Sequence, residues 1–467
     1  MASAADRIVG RASYGILAAT LAWVTVHAWG PLKDPDVWWH LRLGEDLLDQ
    51  GSLSRPDHWS SFGTVSWVPT EPLPEIAVAL VRRGFGLPGV AWLYVVSVVC
   101  IVVAVFLVCR RYGAALPSAL AVTLFVAAGE GSLTPRPQLV SYLFLLLVIE
   151  TWRRTEADLR PRWWLVPLSW LWSLCHGFWF IGVAYGVLAV VAIALGRRAS
   201  RVQLIRLVAL AVGSGLVVLL NPIGPAIVEA PFRVSSTARY VSEWQHPDLS
   251  SGPAWTATAM AVVVGLVWLT RRSTTTWFGV ALLASALFWD WYAQRTMVLG
   301  GLVAAPLLAA ALQALIPEPA DGPTPRSTGR ERAALTATVV AIAAVAAIVV
   351  PHTADRPGGV PVALDAELDR LPAGSGVFND YLLGGWLSCR HPDLNQYIDG
   401  LITPYSPAHV RAYLRVQGLD HGWYAVVRHS KAPVALIRAQ SPLANALERR
   451  GWWSSGSDAG YVLLHRP

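Results

Sequence analysis

The sequence predicts an α-helical polytopic membrane protein, N-terminus in and C-terminus out, that carries a small extracytoplasmic α/β domain at its C-terminal end. Three observations predict it. Of the 467 residues 54% are hydrophobic and 14% charged, the apolar residues arrive in uncharged runs of bilayer length, and arginines gather at alternate ends of those runs. Soluble domains carry roughly 25% charged residues, so water is not the main solvent of this chain.

A bilayer requires about 17 to 25 predominantly apolar residues per helix. Ala12 to Leu32, Pro88 to Val108, Tyr112 to Gly129, Gly177 to Gly196, Leu249 to Thr270, Thr296 to Pro317 and Ala333 to Ala354 meet that requirement. Pro137 to Ile149, Trp163 to His176 and Ser273 to Trp289 are shorter or interrupted, as tilted or partly re-entrant spans are. Val202 to Leu220 carries Arg206 near one end, where a long side chain snorkels to the interface. About eleven transmembrane helices result.

The net charge of +7 raises the question of a nucleic-acid partner. Placement answers it. Arg7 and Arg11 precede the first span, and Arg110 with Arg111 follows the second. Arg153, Arg154, Arg160 and Arg162 follow the fourth, Arg197, Arg198 and Arg201 the sixth, Arg271 and Arg272 the eighth, and Arg326, Arg330 and Arg332 the tenth. Every second connection is Arg-rich, as the positive-inside rule requires of a chain with a cytoplasmic N-terminus. The basic excess is a topology signal and not a nucleic-acid footprint.

Eleven spans from a cytoplasmic start put everything after Pro351 outside. The expected domains are a transmembrane domain over 1–351, with its first extracytoplasmic connection at 31–87, and an extracytoplasmic α/β domain over 352–467. The first run lacks a small-residue cleavage site and reads as a retained anchor. Cys100, Cys109 and Cys175 lie in or beside spans, which leaves Cys389 alone outside and predicts neither a disulfide framework nor a thiolate metal site.

The first outer connection is acidic, with Asp34, Asp36, Glu45, Asp46, Asp49, Asp57, Glu71 and Glu75 outnumbering its basic residues. Asp36 is expected to cap an amphipathic helix, Val37 to Asp49, which Gly51 ends. A second short helix, Pro74 to Arg83, leads back to the membrane, and Trp38, Trp39, Trp59 and Trp67 supply interfacial aromatics. Pro317 to Arg332 reads as a flexible linker. In the outer domain Gly376 to Phe378, Gln396 to Ile398, Tyr424 to Val427 and Tyr461 to Leu464 read as strands, and Ser406 to Gln417 and Pro442 to Arg450 as helices.

Sorted by side, the unusual polar residues fall outside or at outer span ends. They are Asp34 and Asp36 with His40, Glu71 and Glu75, Glu130 with Arg136 and Gln138, His176, Asn221, Glu243, Asp290 with Arg295, and Asn379 to Tyr381. One shared site at the outer face is expected from them. Asp34 and Asp36, followed by His40, suit a divalent cation such as Mg or Mn, because hard cations prefer oxygen ligands. One of the pair can instead serve as a general base, and both can simply form a Pro turn and cap the next helix. Arg136 and Arg295 suit a phosphate through bidentate bonds, or equally a lipid headgroup. His176 reads as an accessory ligand or as a packed span-end residue.

These motifs resemble a known group. Asp34-Pro-Asp36-Val-Trp-Trp-His40-Leu-Arg-Leu-Gly44, followed by Gly51, Pro56-Asp57 and Trp67, looks like the first periplasmic loop of bacterial membrane glycosyltransferase-like proteins of the GT-C superfamily. Pro135-Arg-Pro-Gln138, Trp172 through His176-Gly177, Asn221-Pro222-Ile-Gly224, Glu243-Trp244 and Arg295 recur in the order that group shows. Phe378-Asn-Asp-Tyr381, Gly384-Gly385, Ile398-Asp-Gly400 and Val462-Leu-Leu-His-Arg466 continue the match, so it covers nearly the whole chain. Two positions depart from the pattern: Glu71-Pro72-Leu73 stands where the group often has Glu-Trp-Leu, and Cys175 where it has Asn before the His-Gly pair.

The resemblance implies transfer of a sugar from a polyprenyl-phosphate carrier to an envelope acceptor outside a bacterial cytoplasmic membrane, with inversion at the anomeric carbon. It places the catalytic carboxylate in the first outer loop, at Asp34 or Asp36, with Arg136 or Arg295 on the donor phosphate. His40, Glu71, His176 and Glu243 would be accessory. The rival expectations are a polysaccharide ligase or polymerase, and a non-catalytic scaffold or lipid-linked glycan carrier. The span centres are nearly free of charge and no paired halves are evident, which disfavours a carrier.

Overall fold

A computed structural model describes residues 4–51, 59–64, 68–237, 240–248, 250–271, 275–316 and 327–467, the side chains of 4–9 and 233–237 excepted. The Pro56-Asp57 and Trp67 motif positions, Arg272, and 317–326 of the linker with Arg326 lie outside the described residues.

In chain order the first helices are α1 (Ala4–Ala28), α2 (Asp36–Gln50), α3 (Pro72–Cys109), α4 (Ala115–Gly129), α5 (Gln138–Asp158), α6 (Leu165–Ser173), α7 (Trp179–Leu195), α8 (Arg201–Leu216), α9 (Ala226–Thr237), α10 (Gly252–Thr270), α11 (Trp277–Tyr292), α12 (Met297–Leu315) and α13 (Gly329–Thr353). Among the described residues each of the eleven apolar stretches contains a helix. Lipid offers no hydrogen bonds, so a spanning segment must satisfy its own backbone groups. Among the described residues six segments are long and apolar enough to cross a membrane: Pro72–Cys109, Ala115–Ser132, Arg201–Leu220, Gly252–Thr270, Gln294–Leu315 and Gly329–Thr353. Trp179–Leu195 is a shorter apolar helix. The protein is therefore a multi-pass membrane protein. The nine residues of α6 reach only about 14 Å, less than half of the hydrocarbon thickness.

The chain divides into two compact units. The first, 1–30, 91–224 and 241–350, is a helical bundle in which α12 packs against α4, α10 and α11. Small residues on α12 allow this: Gly300, Gly301, Ala304, Ala305 and Ala309 are all buried. Within the bundle, polar side chains tie helix ends together in two sets. In one set Arg110 Nε meets Glu331 Oε1 at 2.8 Å, Glu150 gathers Arg111, Tyr112 and Arg154, and the Ala114 amide donates to Gln313 Oε1 at 2.8 Å. In the other, Tyr94 donates to the Leu133 carbonyl, Ser132 to the Arg295 carbonyl, and the Gln294 amide to the Gln245 carbonyl.

The second unit, 31–90, 225–240 and 351–467, is built on a five-stranded sheet of order β2-β1-β3-β5-β4. Its strands are β1 (Gly376–Asn379), β2 (Asn395–Gln396), β3 (Val434–Arg438), β4 (Trp453–Asp458) and β5 (Tyr461–His465), with β2, β1 and β3 parallel and β5 antiparallel to both β3 and β4. The helices α14 (Asp365–Leu368), α15 (Tyr381–Arg390), α16 (Pro407–Gln417), α17 (Trp423–His429) and α18 (Pro442–Glu448) complete it.

Two expectations are corrected. Tyr424 to Val427, expected as a strand, lies in α17. A short apolar run does not reveal its period, and here Gly422 at φ 81° opens a helix whose last turn carries Arg428 and His429, favourable charges at a helix C-terminus. The central strand is instead Val434–Arg438, four of whose residues are buried between β1 and β5. At the start of α2 the N-cap position is Pro35 and Asp36 is the first helical residue, while Asp34 Oδ1 accepts the Asp36 amide at 2.9 Å in the turn before it. Gly51 ends that helix as expected, in the left-handed conformation at φ 59°.

Residues 31–90 pack with the C-terminal segment in the second unit. A Cβ on Gly385 of α15 would lie 3.2 Å from both the Pro35 carbonyl oxygen and the Trp39 amide nitrogen. One on Gly384 would lie 2.2 Å from the Ile398 carbonyl oxygen. The glycine pair thus lets α15 touch the N-terminus of α2 on one side and the strand-to-loop segment 398–399 on the other. Ser60 donates to the Gln396 carbonyl at 2.6 Å and the Ser61 amide to Asn395 Oδ1 at 2.8 Å, so 59–64 covers the edge strand β2.

We predict that Gly384→Ala destabilises the protein by at least about 1–3 kcal/mol through overpacking. Gly84→Ala, at a helical position with open space around it, should be neutral or stabilising. Thermal unfolding of the two variants in detergent compares them; equal midpoints would contradict the joint.

Candidate active site

The carboxylates of the first connection lie in the second unit. Asp34 is occupied by its turn, with its carbonyl also accepting the Val37 amide at 3.3 Å. Asp36 is placed differently: a Cβ on Gly400 would sit 2.9 Å from Asp36 Oδ1, so that carboxylate packs directly on the glycine backbone. The preceding Asp399 is buried, its Oδ2 accepting the Tyr405 hydroxyl at 3.0 Å and its Oδ1 the Leu401 amide at 3.0 Å. Burial raises the Asp399 carboxyl above the ordinary range, against the pull of these bonds.

One turn along α2, His40 Nδ1 stands 2.9 Å from Glu75 Oε1 and 3.6 Å from Glu71 Oε2. Glu71 immediately precedes α3 and Glu75 stands in its first turn, its amide donating to the Glu71 carbonyl at 3.2 Å. Close approach of α2 to α3 makes the meeting possible, because a Cβ on Gly44 would lie 2.1 Å from the Glu75 carbonyl oxygen. The indole of Trp39 covers His40, ring centroids 3.5 Å apart. Among the described residues, His40, Glu71 and Glu75 are the group of three with ligand atoms close enough to share one ion, all within 4.8 Å. Asp34 and Asp36, the pair expected to hold the cation, lie outside that group.

The arginines lie in the first unit. Arg136 Nη1 reaches both Glu243 oxygens, at 3.1 and 2.9 Å, and Arg295 Nη1 reaches Glu243 Oε1 at 2.7 Å. The Arg295 guanidinium also stands 5.5 Å from the Trp244 ring centroid, and its Nε is buried with no acceptor among the described residues. Two cations share one carboxylate, which leaves net positive charge suited to a phosphate. The support beneath is fixed by Gln138 and Tyr142, which both donate to the Ser132 carbonyl, and by Ser132, which donates to the Arg295 carbonyl.

His176 is buried in the turn between α6 and α7, where its Nδ1 accepts the Phe178 amide at 3.1 Å. Asn221 donates to the Ser173 carbonyl and accepts the Ile223 amide, and so shapes another span-end turn. Glu130 is exposed, whereas Asp290 is buried against Gly300. Glu243 as the bridge between the two arginines, and Glu75 as the partner of His40, are the two pairings that sequence reasoning did not supply. The i, i+4 spacings of Asp36 with His40 and of Glu71 with Glu75 were the available signal for the second.

No family model matches the sequence, and no curated protein does. Solved structures do. ArnT from Cupriavidus metallidurans in the apo state is 14% identical, with a TM-score of 0.54 over 97% of this chain and 98% of that one. The same protein bound to undecaprenyl phosphate is 13% identical, with a TM-score of 0.50 over 97% of each. The oligosaccharyltransferase of Archaeoglobus fulgidus, tethered with an acceptor peptide, is 12% identical, with a TM-score of 0.54 over 92% of this chain and 69% of that one. Both are GT-C superfamily proteins. The chain shares the fold of these proteins.

Because the folded pKa of Asp399 is raised, its contribution to stability is full below the ordinary carboxylate value near 3.9 and is lost as pH rises through the raised value. Denaturant unfolding between pH 4 and 7 should therefore show a smaller loss of stability with pH in Asp399→Asn than in the parent. Identical slopes would mean that Asp399 is not the group responsible.

Proposed function

We propose that the protein is an inverting glycosyltransferase that moves a sugar from a polyprenyl-phosphate-linked donor to a glycan acceptor on the outer face of a bacterial cytoplasmic membrane. The observation that carries this reading is the whole-chain likeness to a transferase fold seen bound to undecaprenyl phosphate. The pair of arginines joined through Glu243 supports it, because such a cluster suits a phosphate. The alternation of arginines favours a cytoplasmic N-terminus and an extracytoplasmic C-terminal segment.

In this reading Asp36 takes the proton of an acceptor hydroxyl as its oxygen attacks the anomeric carbon. The bond from that carbon to the phosphate oxygen breaks on the opposite face, and the electron pair leaves with the polyprenyl phosphate. Arg136 and Arg295 stabilise that leaving group, worth more in a site shielded from water than at the surface. Asp36 is preferred to Asp34 as the base, since the Asp34 carboxylate already serves the turn. Glu243 keeps the two guanidinium groups together before the phosphate arrives.

The test is sugar transfer in proteoliposomes supplied with a labelled lipid-linked donor. Asp36→Asn should lower kcat by about 10²-fold or more, the range of general-base catalysis. Asp34→Asn, which preserves a capping oxygen, should stay within a few-fold of the parent. Arg295→Ala should raise the KM for the donor. Full activity in Asp36→Asn would remove the base. In a deletion strain, loss of a single sugar from envelope glycans fits the proposal, loss of a whole polymer points to a ligase or polymerase, and unchanged glycans overturn the transferase reading.

A further inference from the structure

We infer that His40, Glu71 and Glu75 form a divalent-metal site, of the class that takes zinc or manganese, where α2 meets the start of α3. The inference concerns residues other than Asp36 and the arginine cluster, and it does not rest on the transferase reading.

Geometry is the first ground. Ligands bound tetrahedrally at about 2.0–2.2 Å from an ion stand about 3.3–3.6 Å apart. His40 Nδ1 is 3.6 Å from Glu71 Oε2 and 2.9 Å from Glu75 Oε1, and all three ligand atoms fall within 4.8 Å. Small rotations of two carboxylates bring these separations onto the tetrahedral value.

The second ground is an unsatisfied atom. Glu75 is 1% exposed, yet its Oε2 has no hydrogen-bond partner among the described residues. A buried carboxylate oxygen is ordinarily paired, hydrogen-bonded or on a metal. Its other oxygen already faces His40, so one ion beside the imidazole would satisfy the group. Rigid walls hold the three in place: Gly44 against the Glu75 backbone on one side, and the Trp39 ring over His40 on the other.

The donor set selects the metal. One imidazole nitrogen and two carboxylates suit zinc or manganese, whereas magnesium demands octahedral oxygen and keeps its waters. Three protein ligands leave a fourth place for water or for an incoming oxygen ligand, as in open rather than purely structural sites.

The test uses the full chain without an affinity tag, purified in detergent, stripped with a chelator and titrated with zinc. Metal retained after gel filtration is measured by mass spectrometry, affinity by competition with a fluorescent zinc chelator, and manganese binding by electron paramagnetic resonance. We expect one ion per chain, and at least a tenfold loss of affinity in both His40→Ala and Glu75→Gln. Asp34→Asn and Asp36→Asn should bind as the parent does, which separates this site from the proposed base. Metal should raise the unfolding midpoint of the parent and leave that of Glu75→Gln unchanged. Glu75→Gln keeps the shape of the side chain, so it decides the matter if His40→Ala fails to fold. Parent-like affinity in Glu75→Gln, or no bound metal in the parent, overturns the site, whatever the transfer assay shows.

Discussion

The second unit depends on one steric constraint, the absence of side chains at Gly384 and Gly385. Helix α15 presses its backbone onto the Ile398 carbonyl through one glycine and onto the Pro35 to Trp39 turn through the other. Without that approach α2 would have no fixed seat on the C-terminal sheet. With it, the first residue of α2, Asp36, is set against Gly400, and the next turn carries His40 to Glu75. A third glycine, Gly44, does the same between α2 and α3. Van der Waals exclusion at three backbone positions thus determines where the carboxylates of the first connection stand, more directly than any hydrogen bond among them.

The bundle obeys a different rule. Lipid cannot solvate a charge, so its polar side chains collect at helix ends and tie one end to another. Glu150 gathers Arg111, Tyr112 and Arg154 in one such place, and Glu243 gathers Arg136 and Arg295 in another. The two clusters differ in surroundings. At Glu243 the cations rest on a scaffold of buried neutral donors, Gln138, Tyr142 and Ser132, and on the Trp244 ring. Pre-placed cations of this kind cost little reorganisation when an anion binds.

Most of the bundle was legible in the sequence because the bilayer imposes a length and a composition that no water-soluble fold shares. Among the described residues each of the eleven apolar stretches contains a helix, and polar contacts join the helix ends. The sheet was harder to read. Gly376–Asn379 and Tyr461–His465 were visible, but the central strand Val434–Arg438 and the edge strand Trp453–Asp458 were not, and α17 looked like a strand. Runs of five to seven residues carry too few periods to separate 2 from 3.6. The candidate site was legible as a set of residues and not as a set of partners. Asp34, Asp36, His40, Glu71, Arg136, His176, Glu243 and Arg295 were all named from motifs, yet which carboxylate caps, which meets His40 and which joins the arginines depends on packing between distant segments.

What the sequence by itself determined is the solvent and the apolar helices, because those follow from hydrophobic transfer and charge, which add along the chain. What only the tertiary structure decided is the pairing of those residues. Asp34 came to accept the Asp36 amide, and Asp36 became the first helical residue, because α2 starts one position earlier than local pattern implies. His40 meets Glu71 and Glu75 because Gly44 lets two helices meet within a distance that a single added carbon would forbid. Close packing is a property of two surfaces at once, and neither surface alone records it.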